Sequence, residues 1–391
     1  MIDQTDLILN KIIEIENALP ERMSDIGLHT GESGKVLFYC YLSHYLKSNA
    51  YDSKIEHTIE NIFERLDTDT INPTFCRGLS GLVWTMNHLR KTGMLEFDDV
   101  FADLHDTLKK SALGLSAAGE FDFLHGADGI IYTLMDNNAL DEKSANAWLN
   151  SLYDFAIRDS RGCVWETLTD ASTGSKSLNL SLSHGISGKI ILLSEVLKRF
   201  PENELTYELL DGAVNFLLSC RNPAGFRSWF PSVKQTDQPG EISRLAWCYG
   251  DLGNAICLWR ASESLQRTDL KQLAIELLLN ATKRRNPDQE KIIDAAFCHG
   301  ASGVSHIFRH FYQKTGMPEL EQASNYWMQK TLDFSSHKDV AAGYKSFDTR
   351  AEIFKKEDSF LEGNIGIAMV MLNHLQPFMS ENHWNECFLI H

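Results

Sequence analysis

The segment CHGASGVS, residues 298–305, places a cysteine and a histidine directly before two glycines that are separated by two residues. The same Gly-x-x-Gly phrase, followed by an apolar segment, occurs seven times along the chain. Its first glycines are Gly31, Gly78, Gly126, Gly185, Gly250, Gly300 and Gly363, and successive copies lie 47 to 65 residues apart. Two helices of roughly 15 to 20 residues with their loops occupy about this length. The spacing therefore predicts seven repeats, each of one helical hairpin.

The segments that follow the glycine pairs have apolar residues at helical spacing, as in residues 188–200 and 303–316. Further amphipathic segments lie between them, at residues 204–220 and 269–284, and strand-like alternation is scarce. We therefore predict an all-α fold of seven helical hairpins. Such repeats can stack as an open solenoid or close into a ring. The glycines are expected to permit close backbone approach or turns with positive φ at the helix entrances.

Composition and charge exclude several classes of function. The chain has 391 residues with 53 acidic and 37 basic side chains, and its net charge is −16 at pH 7. No basic run is present, which argues against a nucleic-acid partner because phosphate binding needs a concentrated positive surface. Residues 1–23 lack the pattern of a secretory signal, and no stretch of about 18 residues is apolar enough to span a membrane. We expect a cytoplasmic protein whose cysteines are reduced.

The two residues before each first glycine differ between the repeats and bring thiols and imidazoles to the helix entrances. The pairs are His29-Thr30, Cys76-Arg77, Leu124-His125, Ser183-His184, Cys248-Tyr249, Cys298-His299 and Leu361-Glu362. Cys248, Cys298 and His299 make a three-donor set of the kind that Zn²⁺ favours, and three protein ligands leave a fourth position open. Adjacent residues such as Cys298 and His299 converge on one ion only from a turn, which Gly300 permits. The alternative is that these cysteines are ordinary buried side chains.

These motifs resemble those of the lanthionine synthetase C-like family, which includes the lanthipeptide cyclases. The resemblance rests on WCYG at 247–250, CHG at 298–300 and SHG at 183–185, and it extends from about Gly31 to Gly366. It implies a single domain over residues 1–391 with the fold of a double α-toroid, in which seven inner and seven outer helices carry zinc at one pole. Some family cyclases contain an inserted module proposed to hold the substrate peptide, and no interval between these repeats is long enough for one.

The resemblance also implies roles for individual residues. The implied ligands of one zinc ion per chain are Cys248, Cys298 and His299, and the implied catalytic residues are His184, Asp122, Arg244 and Tyr249. Each catalytic assignment has a structural alternative: Asp122 could cap a helix region, Arg244 could form a structural ion pair, and Tyr249 could pack. His125 matches no position of the family pattern, and we interpret it as structural.

The family's reaction adds a cysteine thiol of a modified peptide to dehydroalanine or dehydrobutyrine and forms a (methyl)lanthionine thioether ring. A free thiol with a pKa of ~8.5 is mostly protonated at neutral pH, and zinc binding deprotonates it. The enolate that results needs a proton, for which His184 is the candidate donor. Arg244 is the candidate for stabilising the enolate charge, and Asp122 for orienting His184 or a water.

The implied partners are a dehydrated precursor peptide, a dehydratase and an export transporter, which suit a cytoplasmic protein at the periphery of a membrane complex. Three alternatives stay open. They are a relative that adds glutathione or another thiol to dehydrated residues, a non-catalytic zinc-containing scaffold, and a toroidal glycosidase. A glycosidase would need two carboxylates, and the thiols and imidazoles would have no role in its reaction. The loop-like segment 226–241 is predicted either to wall the substrate groove or to be a plain surface loop.

Overall fold

The structure is a computed structural model that describes residues 4–97, 101–170, 174–234, 241–376 and 383–390. The described residues form fifteen α-helices and seven short β-strands. The helices are α1 (Gln4–Ala18), α2 (Glu32–Leu46), α3 (Asp52–Thr68), α4 (Leu79–Lys91), α5 (His105–Ala117), α6 (Ala127–Asp136), α7 (Glu142–Phe155), α8 (Ile186–Arg199), α9 (Glu204–Ser219), α10 (Asp251–Ser264), α11 (Thr268–Ala281), α12 (Pro287–Glu290), α13 (Ala301–Thr315), α14 (Pro318–Asp333) and α15 (Asn364–Leu375). The strands are β1 (Ile157–Asp159), β2 (Gly162–Val164), β3 (Thr167–Asp170), β4 (Ser175–Asn179), β5 (Val233–Lys234), β6 (Ser346–Asp348) and β7 (Ile353–Lys355).

The chain divides into two compact units. Unit one comprises Met1–Ala102 and Ile292–Trp384, and unit two comprises Asp103–Lys291 and Asn385–His391. The expectation of a single domain without an inserted module stays a prediction. Within the described ranges, no helix is long and apolar enough to cross a membrane.

Seven helices, called here the core helices, each begin directly after the first glycine of a repeat. They are α2, α4, α6, α8, α10, α13 and α15. The seven residues that end in each first glycine are called glycine loops one to seven in chain order. The predicted helices at 188–200, 204–220, 269–284 and 303–316 are confirmed as α8, α9, α11 and α13, with small differences at their ends.

In unit one, the core helices pack side by side, and amphipathic helices cover them. Helix α15 lies between α13 and α2, and α2 also packs against α4. The covering helices are α1 on α15, α3 on α2 and α14 on α13. Every residue of α2 from Glu32 to Leu42 is buried, whereas α3 buries only one stripe that includes Ile55 and Ile62. A helix that is buried all round belongs to a core, and one with a single apolar stripe belongs to its surface.

Unit two repeats the arrangement with α6, α8 and α10 as core helices. Helix α8 contacts both α6 and α10, while α9 covers α8 and α11 covers α10. Helix α5 packs against α6 and α7. In this unit the N-terminal turn of α8 contributes a buried ion pair, because Lys189 Nζ lies 3.1 Å from Asp128 Oδ2.

The glycines are required mainly because the backbone passes very close to them. A Cβ atom at Gly303 would lie 1.9 Å from the carbonyl oxygen of Phe297, a distance that no side chain tolerates. The expected positive φ occurs at only one of the seven first glycines, Gly250, where φ is 95°. Gly250 ends glycine loop five, so this loop has a backbone path that differs from the other six.

The longer intervals between repeats hold small antiparallel sheets. Strands β1 to β4 lie between α7 and α8, β5 lies between α9 and α10, and β6 pairs with β7 between α14 and α15. Strand β4 pairs with both β3 and β5. Of the segment predicted to wall a groove, residues 235–240 lie outside the described residues.

Candidate metal centre and proton-transfer pair

Backbone hydrogen bonds connect glycine loops of neighbouring repeats. In unit one, the amide of Cys298 donates to the carbonyl of Leu361 at 2.9 Å, and the amide of Leu361 donates to the carbonyl of His29 at 3.0 Å. The amide of His29 donates in turn to the carbonyl of Cys76 at 3.0 Å. Loops six, seven, one and two therefore form a continuous row within this unit. The residues that differ between these repeats are thereby gathered at one end of their core helices.

Unit one contains a cluster of three groups that could hold a metal ion. One donor atom from each of Cys298, His299 and Glu362 lies within 4.8 Å of the other two. Cys298 and His299 occupy a turn directly before Gly300, which confirms the geometric condition for two adjacent residues to converge. Glu362 reaches the cluster because it follows Leu361, whose carbonyl accepts the amide of Cys298.

Asp294 lies against the His299 ring and is itself held by two backbone amides. Its Oδ2 lies 3.5 Å from Nε2 of His299 and accepts the amide of Phe347 at 2.8 Å, while its Oδ1 accepts the amide of Ala296 at 3.0 Å. Burial by itself would raise the pKa of Asp294, but the nearby imidazole of His299 and the amides of Phe347 and Ala296 lower it below its ordinary value. Because Nε2 faces this carboxylate, Nδ1 is the ring nitrogen that would bind a metal.

This donor set fits a zinc ion in its chemistry. Zinc binds thiolate sulfur, imidazole nitrogen and carboxylate oxygen, and a carboxylate on the outer nitrogen of a ligating histidine is a common feature of such sites. Cys248, the third predicted ligand, belongs to unit two, where its side chain is buried. Its participation in the metal site stays a prediction.

Unit two contains a histidine and an aspartate in direct contact. Nδ1 of His184 lies 2.7 Å from Oδ2 of Asp122, and both side chains are partly accessible, at 30% and 22%. Lys189 donates to the carbonyl of Phe121 at 2.9 Å and so fixes the segment that precedes Asp122. On the other side, Thr167 Oγ1 donates to the carbonyl of His184 at 2.8 Å. The pair is therefore held on both sides by packed elements.

Each member of this pair shifts the pKa of the other. Burial would lower the pKa of His184, but the charge and hydrogen bond of Asp122, with a contribution from Cys248, raise it. Burial would raise the pKa of Asp122, but the charge and hydrogen bond of His184, with a contribution from His125, lower it. The geometry thus favours a charged pair in which Nδ1 is occupied and Nε2 is the ring nitrogen left for proton transfer.

The structure links Tyr249 to the loop that carries His184. Asn179 Nδ2 donates to the Tyr249 hydroxyl at 3.2 Å, and Asn179 Oδ1 accepts the amide of Ser181 at 2.8 Å. The amide of Leu182 also donates to the carbonyl of Cys248 at 2.9 Å. Glycine loops four and five are therefore tied together by both backbone and side-chain bonds.

Arg244 lies half-buried at the start of glycine loop five. Its Nη2 donates to the carbonyl of Lys291 at 2.6 Å, and both residues belong to unit two. Asp122 makes the cap that the sequence allowed, because its Oδ1 accepts the amides of Leu124 and His125, both at 2.8 Å. Capping and pairing with His184 use different oxygens of Asp122, so one role does not exclude the other.

Two residues of these clusters were given no role at a site from the sequence. His125, interpreted above as structural, has its ring stacked on that of His184 with centroids 6.2 Å apart. Glu362 was not among the predicted ligands, although it precedes Gly363 just as His299 precedes Gly300. The equivalent positions of these two residues in their repeats are the sequence feature that could have identified Glu362.

A further signal lies six residues before the first glycine of each repeat. In loop seven the side chain there, Glu357, accepts the backbone amide two residues on. The same bond is made as an Asx turn in loops one, two, four and six, where the residue is Asp25, Asn72, Asn179 and Asp294. This Asx turn stabilises the loop. Loops three and five carry Glu120 and Arg244 at this position. These departures coincide with the repeats that supply Asp122 and Arg244.

The chain is similar to known proteins over nearly its whole length. Residues 22–389 match the sequence model of a family described as lanthionine synthetase C-like protein. The nisin biosynthesis protein NisC of Lactococcus lactis subsp. lactis is 22% identical over 403 residues, which cover 94% of this chain and 89% of that protein. A solved structure of nisin cyclase matches with a TM-score of 0.72 and 18% identity, and covers 98% of this chain and 96% of that chain. This likeness shows a shared fold and confirms the predicted fold class.

Proposed function

The chain belongs to the lanthionine synthetase C-like family, and from that premise we propose that it is a zinc-dependent lanthipeptide cyclase. Its substrate is a dehydrated precursor peptide, in which a cysteine thiol adds to dehydroalanine or dehydrobutyrine to form a (methyl)lanthionine ring. The family match supports this activity, and so does the similarity to NisC. The observation that supports the mechanism most directly is the contact between His184 and Asp122. His184 lies on glycine loop four, which is hydrogen-bonded to the loop that carries Cys248.

We propose that one zinc ion per chain is held by Cys248, Cys298 and His299. Bound zinc deprotonates a coordinated thiol and so supplies a thiolate near neutral pH. Cys298 and His299 lie together in one turn, and Oδ2 of Asp294 lies 3.5 Å from Nε2 of His299. Two cysteine thiolates would offset the charge of a bound ion, so a substrate sulfur beside it would stay electron-rich.

His184 is the proposed proton donor to the peptide. When the substrate sulfur bonds to the β-carbon of the alkene, the electron pair of the double bond moves towards the carbonyl group and forms an enolate. The α-carbon then takes one proton, which His184 supplies from Nε2 because Nδ1 is engaged by Asp122. One proton leaves the thiol and one is added to carbon, so the reaction is an isomerisation of the peptide.

Arg244 and Tyr249 complete the proposed catalytic set. The guanidinium of Arg244 stabilises the charge that develops on the enolate oxygen. Tyr249 is hydrogen-bonded to Asn179 and so holds the loop of Cys248 in a fixed position next to the loop of His184. In the cell, the precursor peptide arrives from a dehydratase and leaves through an export transporter, with the cyclase in the cytoplasm beside a membrane complex.

The substitution His184→Ala tests the assignment of metal and proton transfer to separate residues. The substrate is a synthetic peptide that carries one cysteine and one dehydroalanine, and ring closure is followed as loss of the thiol that iodoacetamide alkylates. We expect about one zinc per chain by elemental analysis in both proteins, with ring closure slowed by roughly 10²- to 10⁴-fold in the variant. His57→Ala, which alters an exposed histidine of α3, is the matched control and should behave as wild type.

Loss of zinc from His184→Ala, or a rate equal to that of wild type, would contradict this division of labour. The same assay with added glutathione separates the proposal from the alternative of a glutathione-adding enzyme. Ring closure leaves the mass of the peptide unchanged, whereas addition of glutathione raises it by the mass of that thiol. A wild-type protein that binds zinc and does neither would be a non-catalytic scaffold.

A further inference from the structure

Glu362 is the member of the metal cluster that the family motifs do not account for. Its carboxylate lies within 4.8 Å of donor atoms of both Cys298 and His299. Its place is fixed by the backbone, because the preceding residue, Leu361, accepts the amide of Cys298 and donates to the carbonyl of His29. Glycine loop seven is therefore pinned between loops six and one with Glu362 at its end.

The charge environment of Glu362 differs from that of the neighbouring acids. Glu357 lies near Lys355, at 3.9 Å, and Asp358 pairs with Lys356 at 3.1 Å. In the part of the chain that the structure describes, no lysine or arginine accompanies the carboxylate of Glu362 in this way. Instead it faces a thiol and an imidazole, both of which are metal donors.

We propose that Glu362 is a ligand of the metal ion, in addition to the residues of the family motifs. This inference rests on the proposed zinc-dependent function. A thiolate and a carboxylate that lie this close repel each other, and a divalent cation between them converts the repulsion into attraction. Within unit one, sulfur, nitrogen and oxygen are then each supplied by one residue, and all three belong to the set of atoms that zinc binds.

A carboxylate in this position is compatible with an enzyme that must admit a substrate thiol. Carboxylate oxygen is a harder donor than thiolate sulfur, and soft thiolates are the donors that select zinc. Glu362 therefore holds its position less firmly than Cys298 does. With an ion bound, this oxygen would be the donor that a substrate sulfur could replace, and the cysteine and histidine would remain as ligands.

The test compares metal binding by full-length wild-type protein with that of Glu362→Gln. Zinc affinity is measured by competition with a chelator, and the ligand set is measured as the visible absorption of the cobalt-substituted protein. We expect zinc affinity to fall about tenfold or more and the cobalt bands to shift, because an amide replaces an anionic oxygen donor. Glu357→Gln is the matched control in the same segment and should leave both quantities unchanged. Its Oε1 accepts the amide of Ser359, a bond that glutamine can also make.

Glu362→Asp keeps a carboxylate and should restore part of the zinc affinity, which a purely structural role of the side chain does not predict. Wild-type zinc affinity and an unaltered cobalt spectrum in Glu362→Gln would overturn this inference while leaving the proposed function intact. A folded wild-type protein that binds no zinc would overturn the proposed function and this inference with it.

Discussion

Nδ1 of His184 lies 2.7 Å from Oδ2 of Asp122, although the two residues are 62 positions apart in the chain. Their glycine loops precede α8 and α6, which pack against each other in unit two. The carboxylate raises the pKa of the imidazole, and the imidazole lowers the pKa of the carboxylate. The protonation of His184 therefore depends on Asp122. The spacing of these two residues in the sequence does not indicate that they form a pair.

The first prediction is that Asp122→Asn lowers the pKa of His184 and slows ring closure. Asparagine keeps an oxygen for the amides of Leu124 and His125, so the loop is retained, but it removes the charge that stabilises the imidazolium. We expect a rate loss of roughly 10²-fold. The pKa is measured from the imidazole resonances by NMR. Asp106→Asn, at a side chain of α5 that is 84% exposed, is the control.

The second prediction concerns stability and pH. Because folding raises the pKa of His184, its contribution is present below the ordinary value of 6.5 and is lost as pH rises through the folded-state pKa. Because folding lowers the pKa of Asp122, its contribution is present above the ordinary value of 3.8 and is lost as pH falls through the folded-state pKa. The pair therefore stabilises the protein most between these two ordinary values.

Denaturant unfolding of wild type and Asp122→Asn measures this window. The difference in their free energies of unfolding should be larger at about pH 5.5 than at about pH 9, where His184 is neutral. A difference that is the same at both values would mean that the two side chains are not a charged pair in the folded protein.

The core helices were predictable because their signal is local. Apolar periodicity and the repeated glycines mark where α8 and α13 begin, and Thr315-Gly316 marks where α13 ends, with Gly316 in the left-handed region at φ 69°. Each of these features depends on residues within one helix and its two ends. The turn that carries Cys298 and His299 was predictable for the same reason.

The features that were missed depend on contacts between repeats. Helix α1 covers α15, a pairing between the first and last helices that no local pattern indicates. Glu362 joins Cys298 through a backbone bond between loops seven and six. The role of Asp294 likewise depends on the position of His299 after folding. A single sequence by itself contains no record of such distant contacts.

The third prediction is that Asp294→Asn weakens zinc binding about 10- to 100-fold without unfolding the protein. Asparagine occupies the equivalent position in loops two and four, as Asn72 and Asn179, so the Asx turn accepts it. The amide lacks the negative charge that holds Nε2 of His299. Asp25→Asn makes the same change in loop one and should leave the zinc dissociation constant unaltered. Equal effects of the two substitutions would assign the loss to the turn rather than to the histidine contact.

The fourth prediction contrasts two glycines in helices. At Gly303, a Cβ atom would lie 1.9 Å from the carbonyl oxygen of Phe297, so Gly303→Ala must displace the loop that carries Cys298 and His299. We expect the free energy of unfolding to fall by at least about 2 kcal/mol, with loss of zinc. At Gly114, an exposed position of α5, a Cβ atom would meet nothing within 4 Å. Gly114→Ala should therefore stabilise the protein by about 0.5–1 kcal/mol. Thermal unfolding measures both variants, and a shift of the two melting temperatures in the same direction would refute the argument.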